Sequence, residues 1–132
     1  MIVDECFGAG TEARSLTGAQ LVQVTRRMAA LIVEVIDGTL SPLAQALMQT
    51  GLLPAGVTPE IITLSGGVGE CYRHQPADPF CFADIGPLLA TALHDHPRLR
   101  EMNVQFPAQT VRATVIGAGA HTLSLSGSTI WL

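Results

Sequence analysis

The stretch IITLSGGVGE, residues 61–70, decides the fold. Its first four residues, Ile61, Ile62, Thr63 and Leu64, are apolar or β-branched and stand between Pro59 and the pair Gly66 and Gly67. A short run bounded in this way has the form of a buried parallel strand. The glycines that follow remove the side chains that would hold a ligand away, and they permit backbone angles closed to other residues. Ligands of open parallel sheets lie outside the carboxyl ends of the strands. Two readings of the segment follow. Ser65, Gly66, Gly67, Gly69 and Glu70 form a nucleotide or phosphate site, or they form a tight strand-to-helix turn with no ligand. On pattern alone the plain turn is the stronger reading, because a bare GGxG is weakly specific. Neither GxxxxGK[ST] nor GxGxxG occurs in the chain.

Upstream, Thr17 and Gln20 have the spacing of a capping box. Apolar residues then recur at Leu21, Val24, Met28, Leu31, Ile32, Val35 and Ile36, which predicts one helix with a wide buried stripe. Gly38 supplies its stop. Ser41 and Pro42 open a second helix, expected to bury Leu43, Leu47 and Met48 and to end at Gly51. Residues 1–16 carry little pattern. Downstream, residues 71–80 are polar and proline-punctuated, which predicts a surface loop. Asp84 and Pro87 open a helix through Leu93 that Pro97 stops. Residues 111–116 are a second strand candidate. Residues 117–126 fit either an alternating strand or a helix of small residues packed tightly on a sheet. The order of elements is that of an α/β domain covering residues 1–132.

Composition narrows the function. Of the 132 residues 48 % are hydrophobic, ample for a core, while only 14 % are charged. The usual charged share is about a quarter, so the surface fits an oligomer, including a homo-oligomer, or a piece of a larger protein. The net charge of −4 comes from 7 basic and 11 acidic residues with no basic stripe, which argues against nucleic acid as a partner. The longest apolar run, residues 28–33, is far too short to cross a membrane. Three cysteines, Cys6, Cys71 and Cys81, with no CxxC and no secretory signal, fit a reduced cytoplasmic setting.

The remaining candidates have plain explanations. His94 and His96 form an HxH pair at a helix end, but no third or fourth ligand stands at metal spacing, and histidines there interact favourably with the helix dipole. Cys71 has only His74 as a sequence-local base. The cluster Gly117, Ala118, Gly119, Ala120 and His121 fits close packing better than a ligand contact. Trp131 is read as core or interface. No catalytic residue and no metal ligand is assigned.

Several ordered segments add a resemblance. The stretches SPLAQALM (41–48), IITLSGGVGE (61–70), CFADIGPLLATAL (81–93) and VRATVIGAGAHTLSLSGSTIWL (111–132) resemble the ethanolamine ammonia-lyase reactivating proteins, the EutA family. The resemblance covers nearly all of the chain after about residue 15. It implies membership of the actin-like, sugar-kinase and heat-shock ATPase superfamily, and so a partial actin-like (ribonuclease H-like) lobe with a mostly parallel sheet and packed helices. Ser65, Gly66 and Gly67 then match the superfamily's adenosine motif. Residues 114–127 resemble the small-residue helix found late in the heat-shock ATPases.

The implied function is ATP- and Mg²⁺-dependent, chaperone-like release of damaged cobalamin from ethanolamine ammonia-lyase. The implied partners are that lyase and the missing lobe of the protein's own chain. Departures matter equally. Full family members are much longer, and the superfamily's Asp-containing phosphate loops are not recognisable in these 132 residues. The expectation is therefore a fragment that supplies the adenosine side of the cleft, holds no cofactor tightly and does not hydrolyse ATP alone. Two alternatives stand beside it: a non-enzymatic docking module, with Arg26, Arg27 and Glu34 on the long helix as its surface, and a fragment of a small-molecule kinase of the same superfamily.

Overall fold

The computed structural model of the chain describes residues 1–108. In order they form α1 (Ile2–Phe7), a 3-10 turn (Ala13–Ser15), α2 (Gly18–Asp37), α3 (Pro42–Leu47), β1 (Ile61–Thr63), α4 (Gly66–Arg73), α5 (Gly86–Asp95), α6 (Pro97–Arg100) and β2 (Asn103–Gln105). The strand candidate at 111–116, the ambiguous segment 117–126, the cluster around His121 and Trp131 lie outside the described residues.

Helix α2 forms where its sequence caps it. The Thr17 N–H donates to Gln20 Oε1 at 2.9 Å, and the Gln20 N–H donates to Thr17 Oγ1 at 3.3 Å. At the other end Gly38 takes left-handed angles, φ 70 and ψ 19. The Thr39 N–H reaches Glu34 O at 2.9 Å and the Gly38 N–H reaches Val35 O at 3.3 Å, the paired bonds of a Schellman stop. The buried surface of α2 is broader than one stripe. Ala29 and Val33 join Leu93 and Leu99 in the core, with Ile36, Ile62, Val68 and Tyr72 packed around them. Thr25 is 1 % exposed, its hydroxyl donating to Leu21 O and Val22 O. Ile32, near the middle of the predicted stripe, is 41 % exposed. The core shared with α5 is built on Ala29 and Val33.

The chain between the strands makes one crossover. Ile61 pairs with Asn103, Ile62 with Val104 and Thr63 with Gln105 in parallel register. Helices α4, α5 and α6 fill the connection that a parallel pair requires. The described residues are thus α/β, mostly helix with a small two-stranded parallel sheet.

Several expectations are corrected. Strand β1 is not buried: Ile62 turns to the core, while Ile61 is 49 % exposed on the other face. Helix α3 stops at Leu47, and it is Ala44 that is buried, with Leu47 38 % exposed. Residues 71–73 of the predicted loop belong instead to α4, which starts at Gly66. Pro97 ends α5 but also occupies the first turn of α6. Residues 1–16 contain α1, and β2 was not anticipated because Asn103 and Gln105 are polar and only Val104 points inward.

Candidate functional site

Strand β1 runs into the glycine run with no intervening loop. The Leu64 N–H still donates to Gln105 O at 3.0 Å, so the chain leaves the sheet only at Ser65. Gly66 then turns with φ +71, a conformation that side chains resist. Gly69 is buried, and a Cβ there would stand 2.8 Å from Leu64 O, so its glycine lets α4 close on the strand end. Gly67 differs from both. Its φ is not left-handed, and an added Cβ would meet nothing within 4 Å.

A cavity of about 510 Å³ opens between the first turns of α4 and the start of α5. From α4 it is lined by Gly67, Val68, Glu70 and Cys71. Phe82, Asp84, Ile85, Gly86 and Pro87 complete it from the following segment. Among the predicted site residues, Gly67 and Glu70 are therefore brought to one cavity. Ser65 and Gly66 lie at the junction beside it, and Gly69 packs on the strand. The Ser65 side chain makes no capping hydrogen bond.

The local electrostatics are acidic. Glu70 Oε1 lies 3.0 Å from His74 Nδ1 one turn on. Asp84 Oδ1 accepts the Gly86 N–H at 2.7 Å and so braces the start of α5. Burial first, then the acidic neighbours Cys81, Asp84 and Glu70, push the Cys71 thiol above its ordinary pKa. That is the opposite of what a nucleophilic thiol needs, and His74 is engaged with Glu70 instead. Among the described residues no lysine, arginine or histidine lines the cavity.

Phe82, Asp84 and Gly86 were missed as site residues because they follow a polar, proline-containing stretch that reads as surface. The signal was present in the run Asp84-x-Gly86-Pro87 that opens α5, which sets a backbone turn beside the α4 glycines.

The other candidates resolve differently. His94 Nδ1 contacts Asp95 Oδ1 at 3.0 Å, whereas His96 Nδ1 accepts the Arg98 N–H at 3.3 Å and caps α6. The two rings serve separate structural roles. Among the described residues no group of three His, Cys, Asp or Glu side chains is arranged to hold a metal ion. Of the patch Arg26, Arg27 and Glu34, Arg26 is exposed while the other two are engaged within the chain. Arg27 is bidentate on Glu5 at 2.7 and 3.0 Å and bonds Glu34 Oε1 at 2.7 Å. Glu34 Oε2 accepts the Ser41 N–H at 2.9 Å. This network fastens α1 and the start of α3 to α2, and its members are turned to one another. Hydrogen bonds from Ser41 and Arg27 hold the Glu34 carboxyl down to about 2.

With this geometry in hand, comparison with known proteins is decisive. The family described as "Ethanolamine utilisation protein EutA" matches residues 1–132. The chain belongs to the EutA family. It is 98 % identical over 132 residues to the "Ethanolamine ammonia-lyase reactivase EutA" of Escherichia coli (strain K12). It is 86 % identical over the same length to the protein of that name from Salmonella typhimurium (strain LT2). In both cases all of this EutA-family chain is covered, but it spans 28 % of the length of these relatives. No solved structure matches it. No helix among the described residues is long and apolar enough to cross a membrane.

Proposed function

We propose that this segment supplies the adenosine side of the nucleotide cleft in a cytoplasmic, ATP-dependent, chaperone-like factor that releases damaged cobalamin from ethanolamine ammonia-lyase. The lyase and the remainder of the longer protein, acting as the opposing lobe of an actin-like fold, are its partners. Family membership supports the job, because relatives of this chain carry the name of a reactivase of that lyase.

Gly67 carries the local reading. It costs helix stability relative to alanine, yet neither its backbone angle nor its packing accounts for a glycine. A ligand approaching the backbone of the first turn of α4 does account for it. The parallel β1–α4 junction places that turn beyond a strand's carboxyl end, where ligands of such sheets bind. Glu70 and Asp84 add two carboxylates to the cavity wall, acceptors that suit the hydroxyls and amine of a nucleoside. The phosphates fall to the rest of the longer protein. ATP then acts by biasing one conformation of the two lobes, and the lyase binds the two conformations differently.

Calorimetry of ATP and ADP with the 132-residue chain and with the longer protein tests the reading. Tight binding is expected only in the longer protein, with no turnover by the short chain. Equal tight binding by both, or ATP hydrolysis by the short chain, refutes the half-cleft assignment.

One observation favours a docking role beside this one. A groove of about 230 Å³ between α1, α2 and α3 is lined by Met28, Leu31, Ile32, Val35, Leu47 and Met48 among others. This apolar surface is where an interaction module would meet a neighbour.

A further inference from the structure

We propose that a groove between α2 and the α5–α6 junction, lined by Arg26, is closed by a segment from the remainder of the longer protein that brings an aspartate or glutamate side chain to Arg26. The inference rests on the chain being part of a longer protein and not on the nucleotide reading. This groove shares no lining residue with the α4–α5 cavity.

The groove holds about 380 Å³. Val22 of α2, Leu88 and Ala92 of α5 and Pro97 of α6 give it apolar walls. Thr25 and Thr91 also line it, but their hydroxyls are engaged by their own helices. Thr25 donates to Leu21 O at 3.0 Å and Val22 O at 3.1 Å, and Thr91 donates to Pro87 O at 3.0 Å. The other polar residues of the lining are Arg26, Asp95 and His96. Asp95 Oδ1 is held by His94 Nδ1 at 3.0 Å and by Arg100 Nη2 at 3.5 Å. His96 Nδ1 accepts the Arg98 N–H, so the neutral ring carries its proton on Nε2 and is a donor there.

Arg26 differs from the other arginines around it. Arg27 is paired with Glu5 and Glu34, Arg98 with Asp37 at 2.9 Å, and Arg100 with Asp95. Among the described residues Arg26 has no ion-pair partner. All 11 acidic residues of the sequence lie between Asp4 and Glu101, where the structure describes them, and residues 102–132 contain no Asp or Glu. With the described residues arranged as they are, a side-chain carboxylate for Arg26 has to come from outside these 132 residues.

The length of chain outside this segment identifies the occupant. The 132 residues span 28 % of the length of their relatives, so the greater part of the longer protein is available to cover the groove. A segment laid on the apolar walls takes Arg26 out of water. A desolvated guanidinium without an acceptor is strongly unfavourable. A carboxylate offsets that cost through two parallel hydrogen bonds, and the His96 Nε2–H is a further donor for it. The chemistry of the segment follows: an acidic side chain for Arg26 beside an apolar one for Val22, Leu88 and Ala92.

The test uses the full-length protein with Arg26→Lys. These 132 residues contain no lysine, so the substitution introduces their one side-chain amine, and a zero-length carbodiimide cross-link reports which carboxylate it touches. The expected result is a new link from position 26 to an Asp or Glu outside residues 1–132 of the same molecule. A mixture of isotope-labelled and unlabelled protein separates that link from one to a second copy. Arg26→Glu is expected to lower the melting temperature of the full-length protein by about 2 °C or more, and reversing the charge of the linked acid is expected to restore it. Because Arg26 is exposed and unpaired among the described residues, circular dichroism of both variants is expected to match the unsubstituted protein. A link only to Asp95 or another acid of residues 1–101, to a second copy, or to the lyase when it is present overturns the proposal. So does the absence of any link, or an unchanged melting temperature for Arg26→Glu. None of these outcomes bears on nucleotide binding at the α4–α5 cavity.

Discussion

Helices α2 and α4 answer the same physical demand in opposite ways where they begin. Every α-helix starts with four backbone N–H groups that have no partner inside it. At α2 the chain meets this demand from within: Thr17 and Gln20 cap each other reciprocally, and Gly38 closes the far end with two backbone bonds. At α4 the residue in the capping position is also a hydroxyl, Ser65, yet its side chain makes no capping bond. Three glycines follow within the first turn, and a cavity with an aromatic edge lies alongside. The residues at α2 are accounted for by the fold. Those at α4 are accounted for only in part, and the remainder is where function is sought.

The comparison breaks most readily at the glycines of α4. Gly69→Val is expected to destabilise the chain by about 2–4 kcal/mol in urea unfolding, because the new side chain meets strand backbone and not a mobile side chain. An effect near zero would show that α4 does not close on β1 as described.

Next in size is the clamp that joins α1 and α3 to α2. Glu34→Ala removes the acceptor of both Arg27 and Ser41 and is expected to cost about 2 kcal/mol at pH 7. Its acid dependence follows from the sign of the shift. The folded carboxyl sits at about 2, below its ordinary value of 4.5. Its stabilisation is therefore complete above about pH 4.5 and is lost as pH falls toward 2. Unfolding curves across that window are expected to converge for the two proteins at the acid end.

The caps give a smaller and sharper contrast. Thr17→Ala is expected to cost about 1 kcal/mol, whereas Ser65→Ala is expected to lie within about 0.5 kcal/mol of zero, since no bond is lost. Equal costs would remove the distinction between the first turns of α2 and α4. Opposite in sign, Gly67→Ala is expected to raise stability by up to about 1 kcal/mol, as an ordinary helix position does.

What was readable in the sequence follows from how local each determinant is. Caps are written in residues three or four apart, so α2 and its left-handed stop were evident from Thr17, Gln20 and Gly38. The strand at Ile61 was also evident, since Pro59 and the glycines bound it so tightly, but its partner at Asn103–Gln105 was not. Burial was less legible, because it depends on what arrives from elsewhere. The α5 helix covers Ala29 and Val33 and leaves Ile32 in water, a choice that periodicity along α2 does not contain. The clamp is non-local as well: Glu5 and Arg27 stand 22 positions apart. The site was half legible for the same reason. Its glycines announced themselves, but Phe82 and Asp84 join them only through the packing of α4 on the segment that opens α5.

Binding of ATP to the full-length protein carrying Gly67→Ala, measured together with its melting temperature, addresses the first turn of α4 most directly. If a ligand approaches the backbone at Gly67, affinity falls at least roughly tenfold while the melting temperature holds or rises. Unchanged affinity would contradict the assignment of this turn to the nucleotide and leave Gly67 without a functional explanation.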